Sequence, residues 1–419
     1  MRFLAAREAA SLVREGDKVY IAGNCGEPGA VLDAVAADPQ LWRNVHLTGV
    51  FIPGVNDRDF STCGTNTTVS TIFATPGLRA GKSAGRIRHW PLHYTDIYRY
   101  FETTGEISWG FMQVTPPRSD GTTSFGISAD FSPALLGGPA RLIGIINPAL
   151  PDPEHGPRVP VSRFEAFVET DSALPLYDAG RIDDATIAIG RTIAGLLKPG
   201  DTLQLGLGKV QAAVLASLGE TDDLGFHAGM ISTPLLEPLK RGIFSRGVTT
   251  GVALGNRDFY DEVGTNGHIR FAPVGFTHSI NTLSAIRGLV SVNSVIEIDL
   301  FGQANAEMMG GDQISGQGGL VDFVRGAKAA MDGRSVLALA STAGRGSISR
   351  IVPHLPAGTP VTVARADVDL VVTEHGVADL RLASLEERAQ KLIAIADPRH
   401  RDGLEQAWRE SRRHPERQT

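Results

Sequence analysis

At 419 residues the chain exceeds what one hydrophobic core ordinarily serves, so two domains are expected, 1–182 and 183–419. Hydrophobic residues at 42% against 21% charged exclude a disordered chain, and no apolar run approaches the ~18 residues of a membrane helix. A net charge of -6 argues against general nucleic-acid binding, so an acidic ligand has to meet local positive charge.

Along the chain, Leu4, Ala5, Ala9, Leu12 and Val13 share one helical face over 4–15, and Gly16-Asp17 stops that helix. Lys18–Gly23 reads as a strand running into the loop Gly23-Asn24-Cys25-Gly26, with Pro28 opening a helix over Gly29–Ala37 and Val45–Phe51 as the next strand. This βαβ order implies a parallel sheet. The two cysteines, Cys25 and Cys63, have neither metal-ligand spacing nor a disulfide framework, and the N-terminus lacks a signal-peptide pattern. A cytoplasmic protein without a metal is therefore expected. Ile107–Val114 and Arg141–Asn147 are further strands, and the Pro- and Gly-rich stretch Asn147–Pro160 is a surface loop or an active-site flap. The polar stretch Asp178–Asp184 marks the domain boundary.

The second half repeats the order of the first. A helix over Ile187–Leu197 ends at Pro199-Gly200-Asp201, strand Thr202–Leu205 meets Gly206, and a helix around Ala212–Leu218 leads to strand Leu224–His227. Beyond it come a helical segment to about Arg241, strands at Val248–Leu254, Leu289–Val292 and Val295–Leu300, and the Gly-rich Gly310–Gly319 before a helix over Val321–Met331. Ser335–Leu339 and Val368–Thr373 are late strands, Glu386–Ala396 is amphipathic, and the charged tail after Gln406 is expected to fray. Within Asp201–Met230, Gly206 and Gly208 between a strand and a helix form a ready anion or oxyanion site; an ordinary βα turn is the alternative.

Asn293–Gln303, Ser315–Ala327, Ser347–Pro353, Thr373–Arg381 and Gln113–Pro117 together resemble the acetyl-CoA hydrolase and CoA-transferase family, and within it the 4-hydroxybutyrate and butyryl-CoA:acetate CoA-transferases. The resemblance implies an α/β fold of two similar open-sheet domains with the active site in the cleft between them. It also implies acyl-CoA as substrate and a small carboxylate as possible co-substrate; a homodimer in the cytoplasm is expected, with charge arguing against a nucleic-acid partner and hydropathy against a membrane one. CoA-binding positions carried over are Gln204, Leu205, Gly206, Leu207 and Gly208, together with Ile296, Gly316, Gly318 and Gly319. Close glycine backbone can donate to a thioester oxyanion, and an apolar neighbour can hold the pantetheine arm. Lys209 stands where relatives have a small residue, either near a CoA phosphate or as a solvated lysine.

Relatives attack the thioester with a glutamate in Gly-Ile-His-Ser-Glu-Met and carry CoA on it. The matching segment here is Gly225-Phe226-His227-Ala228-Gly229-Met230, so Gly229 stands at the nucleophile position. Three readings are open: a displaced carboxylate such as Glu237 or Glu307; hydrolysis, carbon–carbon cleavage or decarboxylation of an acyl-CoA; or a non-catalytic binder or partner subunit. Volume freed at Gly229 is expected to admit a bulkier acyl group or a water. Gln113 is a candidate oxyanion donor and His227 a candidate base, each with a structural role as the alternative. Cys25 is either a thiolate nucleophile or a small buried residue. Arg325, Lys328, Arg345 and Arg350 are candidate phosphate partners, of which at most two are expected to serve.

Overall fold

The computed structural model describes residues 1–73, 75–219 and 223–413. Its described residues divide into two compact units. One takes residues 1–178 with 227–236 and 247–279, and the other takes 179–226, 237–246 and 280–419.

The first unit is built on seven parallel strands in the order Ile87–His89, Thr68–Thr71, His46–Thr48, Lys18–Ile21, Trp109–Val114, Arg141–Ile146 and Phe164–Glu169. From the central strand Lys18–Ile21 the chain builds outward on one side, then returns to lay Trp109–Val114 on the other. Val19, Ile21, Leu47, Phe111, Ile143 and Ile145 are fully buried, as strands covered on both faces require.

The second unit repeats that plan. Thr202–Leu205 lies between Gly225–His227 and Leu289–Ser294, followed by Arg334–Ala338 and Leu370–Thr373, all parallel, with Gly376–Asp379 antiparallel at the edge. Lys209–Ala216 and Leu320–Ala329 are crossover helices, and Asp184–Ala194 is capped by Asp183 accepting from the Thr186 amide. The offset repeat in the sequence is therefore a repeat of strand topology.

Several element boundaries differ from the sequence expectation. The first helix is Ala6–Ala10 alone, because the chain tightens at Leu12 and Val13, whose amides bond the Ala9 and Ala10 carbonyls. Val248–Leu254 splits into Val248–Thr250 and Val252–Leu254, because the Gly251 amide leaves the strand to bond the Gly229 carbonyl. The Asn147–Pro160 excursion is pinned: Arg158–Pro160 pairs with Thr122–Ser124, and Asp152 bridges Arg118 and Arg158. The segment after Gln406 continues the helix Pro398–Arg413 instead of fraying there, since Leu404 and Trp408 are buried and Trp408 Nε1 donates to Glu386 at 2.7 Å. The last part of that expected tail, 414–419, lies outside the described residues. Among the described residues no helix is long and apolar enough to cross a membrane.

Candidate functional site

In open α/β sheets ligands gather at the carboxyl ends of the strands where strand order reverses. The first unit reverses between Lys18–Ile21 and Trp109–Val114. Beyond the first of these, Asn24 takes a left-handed conformation, φ 54°. Its amide donates to Asn56 Oδ1 at 2.8 Å and its Nδ2 to Asp130 Oδ2 at 2.8 Å. Asn56 Nδ2 in turn donates to Glu27 Oε2 at 2.8 Å, with Arg58 Nε 3.5 Å from the other carboxylate oxygen. Burial raises the Glu27 pKa against these partners. At the end of the second strand, Gln113 Nε2 donates to the Glu27 carbonyl at 2.7 Å and Oε1 accepts from Asn147 at 2.6 Å. The Gln113 amide is thus clamped in plane, with one N–H already committed.

Gly229 is half-exposed, and its carbonyl accepts from the Gly251 and Val252 amides at 3.0 and 3.1 Å. The side-chain direction is occupied. A Cβ built on Gly229 would stand 2.6 Å from His278 Cε1 and 2.9 Å from Nε2. The expectation of vacant volume at Gly229 is therefore corrected: an imidazole fills it. His278 Nδ1 lies 2.9 Å from Thr277 Oγ1, and its ring packs 5.1 Å from that of Tyr94. Burial, with His227 adding to it, pushes the His278 pKa down to about 3. His227 is buried too, with Nε2 2.8 Å from the Thr277 carbonyl, and burial lowers its pKa. No hydrogen bond joins Gln113 to His227 among the described residues.

Cys25 is fully buried, with Sγ 3.6 Å from the Tyr260 hydroxyl and 3.8 Å from the Ala253 carbonyl. Burial pushes its thiol up to about 12, so the thiolate-nucleophile alternative gives way to the buried one.

In the second unit the strand order reverses between Thr202–Leu205 and Leu289–Ser294. There Gln204 Oε1 accepts from Ser291 Oγ at 2.8 Å and from Asn293 Nδ2 at 3.2 Å. Leu205 is buried, and Gly206 and Leu207 are half-exposed, with open space where a Gly206 side chain would lie. Gly208 has φ 120°, which side chains rarely adopt, and it starts the helix whose Gln211 donates to Ser294 at 3.3 Å. Ile296 is half-exposed just past Leu289–Ser294. Gly316 and Gly318 are buried, and Gly319 opens the helix Leu320–Ala329, which packs on that strand. Both crossover helices begin at the carboxyl edge of the sheet, so both glycine loops belong to one edge.

Among the candidate cations, Arg325 faces Asp367 at 3.4 Å and Lys328 faces Asp369 at 3.0 Å. Arg345 is exposed and Arg350 half-buried, neither with an ion-pair partner among the described residues. Lys209 is exposed and helps hold the Asp183 pKa down. Glu237 is exposed, whereas Glu307 is buried and accepts from Thr362 Oγ1 at 2.8 Å. Glu27, Asn56 and His278 carried no sequence signal, because no spacing in the chain announces which loop residues meet.

Residues 1–169 match the acetyl-CoA hydrolase/transferase N-terminal domain, and residues 255–408 match its C-terminal domain. A 4-hydroxybutyrate coenzyme A transferase of Clostridium kluyveri is 30% identical over 412 residues, 96% of each chain. RipA from Yersinia pestis superposes with a TM-score of 0.91 at 27% identity, covering 98% of both chains. A 4-hydroxybutyrate CoA-transferase from Porphyromonas gingivalis superposes at 0.80 with 29% identity, covering 99% of this chain and 98% of its own.

Proposed function

Because the chain belongs to the acetyl-CoA hydrolase/transferase family, we propose that it acts on an acyl-CoA thioester and passes the acyl group to water without a carrier carboxylate at residue 229. The observation that carries this reading is Gly229: it has no side chain to attack the thioester or hold CoA, and His278 stands where one would be. Water adds to the acyl carbon, the C–S bond breaks, and the products are a carboxylate, a proton and the CoA thiol. Gly206, Gly208 and Gly319 offer backbone donors for the thioester oxygen, with Leu205, Leu207 and Ile296 against the pantetheine arm and Gln204, Gly316 and Gly318 completing the loops. Gln113 contributes its remaining amide N–H to the oxyanion, and His227 remains the proposed base. Two free buried cysteines suit a reducing cytoplasm, and a homodimer is the proposed assembly.

The test is a panel of acyl-CoAs, with and without acetate, following free thiol and organic products. Thiol released without acetate supports the reading, and product identity separates hydrolysis from carbon–carbon cleavage and decarboxylation. Acetyl-CoA formed only when acetate is present would establish transfer through a displaced carboxylate. Saturable calorimetric binding without turnover would establish a binding protein.

A further inference from the structure

We propose that His278 is the residue that excludes covalent CoA chemistry at position 229, so that Gly229 and His278 act as a matched pair. This deepens the reading above and rests on it for the meaning of position 229, but its geometry stands alone. Tight glycines here are walled in either by backbone or by a side chain: a Cβ at Gly23 would meet the Val50 carbonyl oxygen at 2.0 Å, and one at Gly275 the Tyr98 ring at 2.6 Å. Gly229 belongs to the second group. Its φ lies outside the left-handed region, and the three atoms nearest a built Cβ, at 2.6, 2.9 and 3.8 Å, all belong to the His278 ring. The backbone would accept any residue there; one side chain forbids it.

That side chain is not free to step aside. His278 is 2% exposed, set by its Nδ1 contact with Thr277 Oγ1 and packed on Tyr94, while Thr277 Oγ1 itself donates to the Pro273 carbonyl at 3.3 Å. A glutamate at 229 would thus have neither room for its Cβ nor a path for its carboxylate unless the imidazole goes. The pair therefore sets the reaction class: with the ring in place, no residue-229 carboxylate can displace CoA from an acyl group and then capture it as a glutamyl thioester.

A stability cycle on Gly229→Ala, His278→Ala and the double variant tests the packing without reference to activity. Gly229→Ala is expected to lower the thermal midpoint in the native background, and to lower it far less beside His278→Ala. Equal shifts in both backgrounds would overturn the proposal. The chemical arm incubates Gly229→Glu and Gly229→Glu/His278→Ala with acetyl-CoA and weighs the intact proteins. Only the double variant is expected to gain the mass of CoA less water, as a hydroxylamine-sensitive thioester. In that step the carboxylate forms an anhydride, the CoA thiolate leaves, and it then attacks the glutamyl carbon to release acetate. Equal labelling of the single variant would overturn the proposal. A coupled stability cycle with no labelling of a double variant that still binds acyl-CoA would uphold the packing but sink the claim that His278 excludes the chemistry. Absence of any native acyl-CoA turnover would instead count against the hydrolytic reading, while the coupling between Gly229 and His278 would still be decided by the stability cycle.

Discussion

Asn24 and Asp130 meet in the interior of the first unit, with Asn24 Nδ2 donating to Asp130 Oδ2 at 2.8 Å and both side chains buried. Burial outweighs this bond and two backbone donors, and raises the Asp130 pKa to about 6. A carboxyl whose folded pKa lies above its unfolded value is easiest to bury protonated. Its contribution is therefore greatest below about 4 and declines as pH rises through 6. Asp130→Asn is expected to stabilise the protein at pH 7 by on the order of 2–3 kcal/mol, with the gain vanishing near pH 4. Urea midpoints across pH check this, and a gain that is flat with pH would refute it.

His278 acts in the opposite sense. Its folded pKa of about 3 lies below the ordinary 6.5, so the stability it contributes as a neutral ring is present above 6.5 and lost as pH falls toward 3. His278→Asn is expected to flatten the acid limb of the stability profile between pH 6 and 4. The same urea series reads it, and an unchanged limb would mean that the ring does not titrate with unfolding.

Asp201, just before strand Thr202–Leu205, and Arg334, at the start of Arg334–Ala338, form a buried ion pair, Nη2 to Oδ2 2.6 Å, with the guanidinium also reaching the Leu196 carbonyl. Asp201→Ala leaves that cation buried without its counter-ion, and a loss of about 3–5 kcal/mol in chemical unfolding is expected. Replacing both residues with apolar ones of similar volume is expected to cost much less.

Gln204 holds Ser291 and Asn293 through one carbonyl oxygen. Gln204→Leu removes their acceptor and is expected to cost about 1–3 kcal/mol. It is also expected to weaken CoA binding in calorimetry. Unchanged affinity would remove Gln204 from the proposed CoA-binding set.

Cys25 and Cys63 are both buried with thiols raised to about 12. The native protein is expected to show no fast reaction with a thiol-specific disulfide reagent at pH 8, and both thiols are expected to react once it is unfolded. A fast native phase lost in Cys25→Ser would revive the nucleophile reading.

The βαβ succession and its repetition were readable because alternating apolar runs, glycine turns and a repeated offset carry them locally. Gly16-Asp17 and Gly200-Asp201 precede the central strands of two sheets with the same reversal. The broken strand at Gly251 was not readable, since its cause is a carbonyl some twenty residues earlier. Helix Pro398–Arg413 was missed for a similar reason: its polar composition hides the two apolar residues, Leu404 and Trp408, that dock it.

The sequence by itself determined the α/β class, the duplicated plan, the glycine loops and the bare position at Gly229, because each is a matter of residue type and spacing along the chain. Only the tertiary structure decided what that bareness means. Whether a missing side chain leaves a hole depends on which atoms arrive from elsewhere, and here the ring of His278, forty-nine residues on, arrives within 2.6 Å of where a Cβ would be.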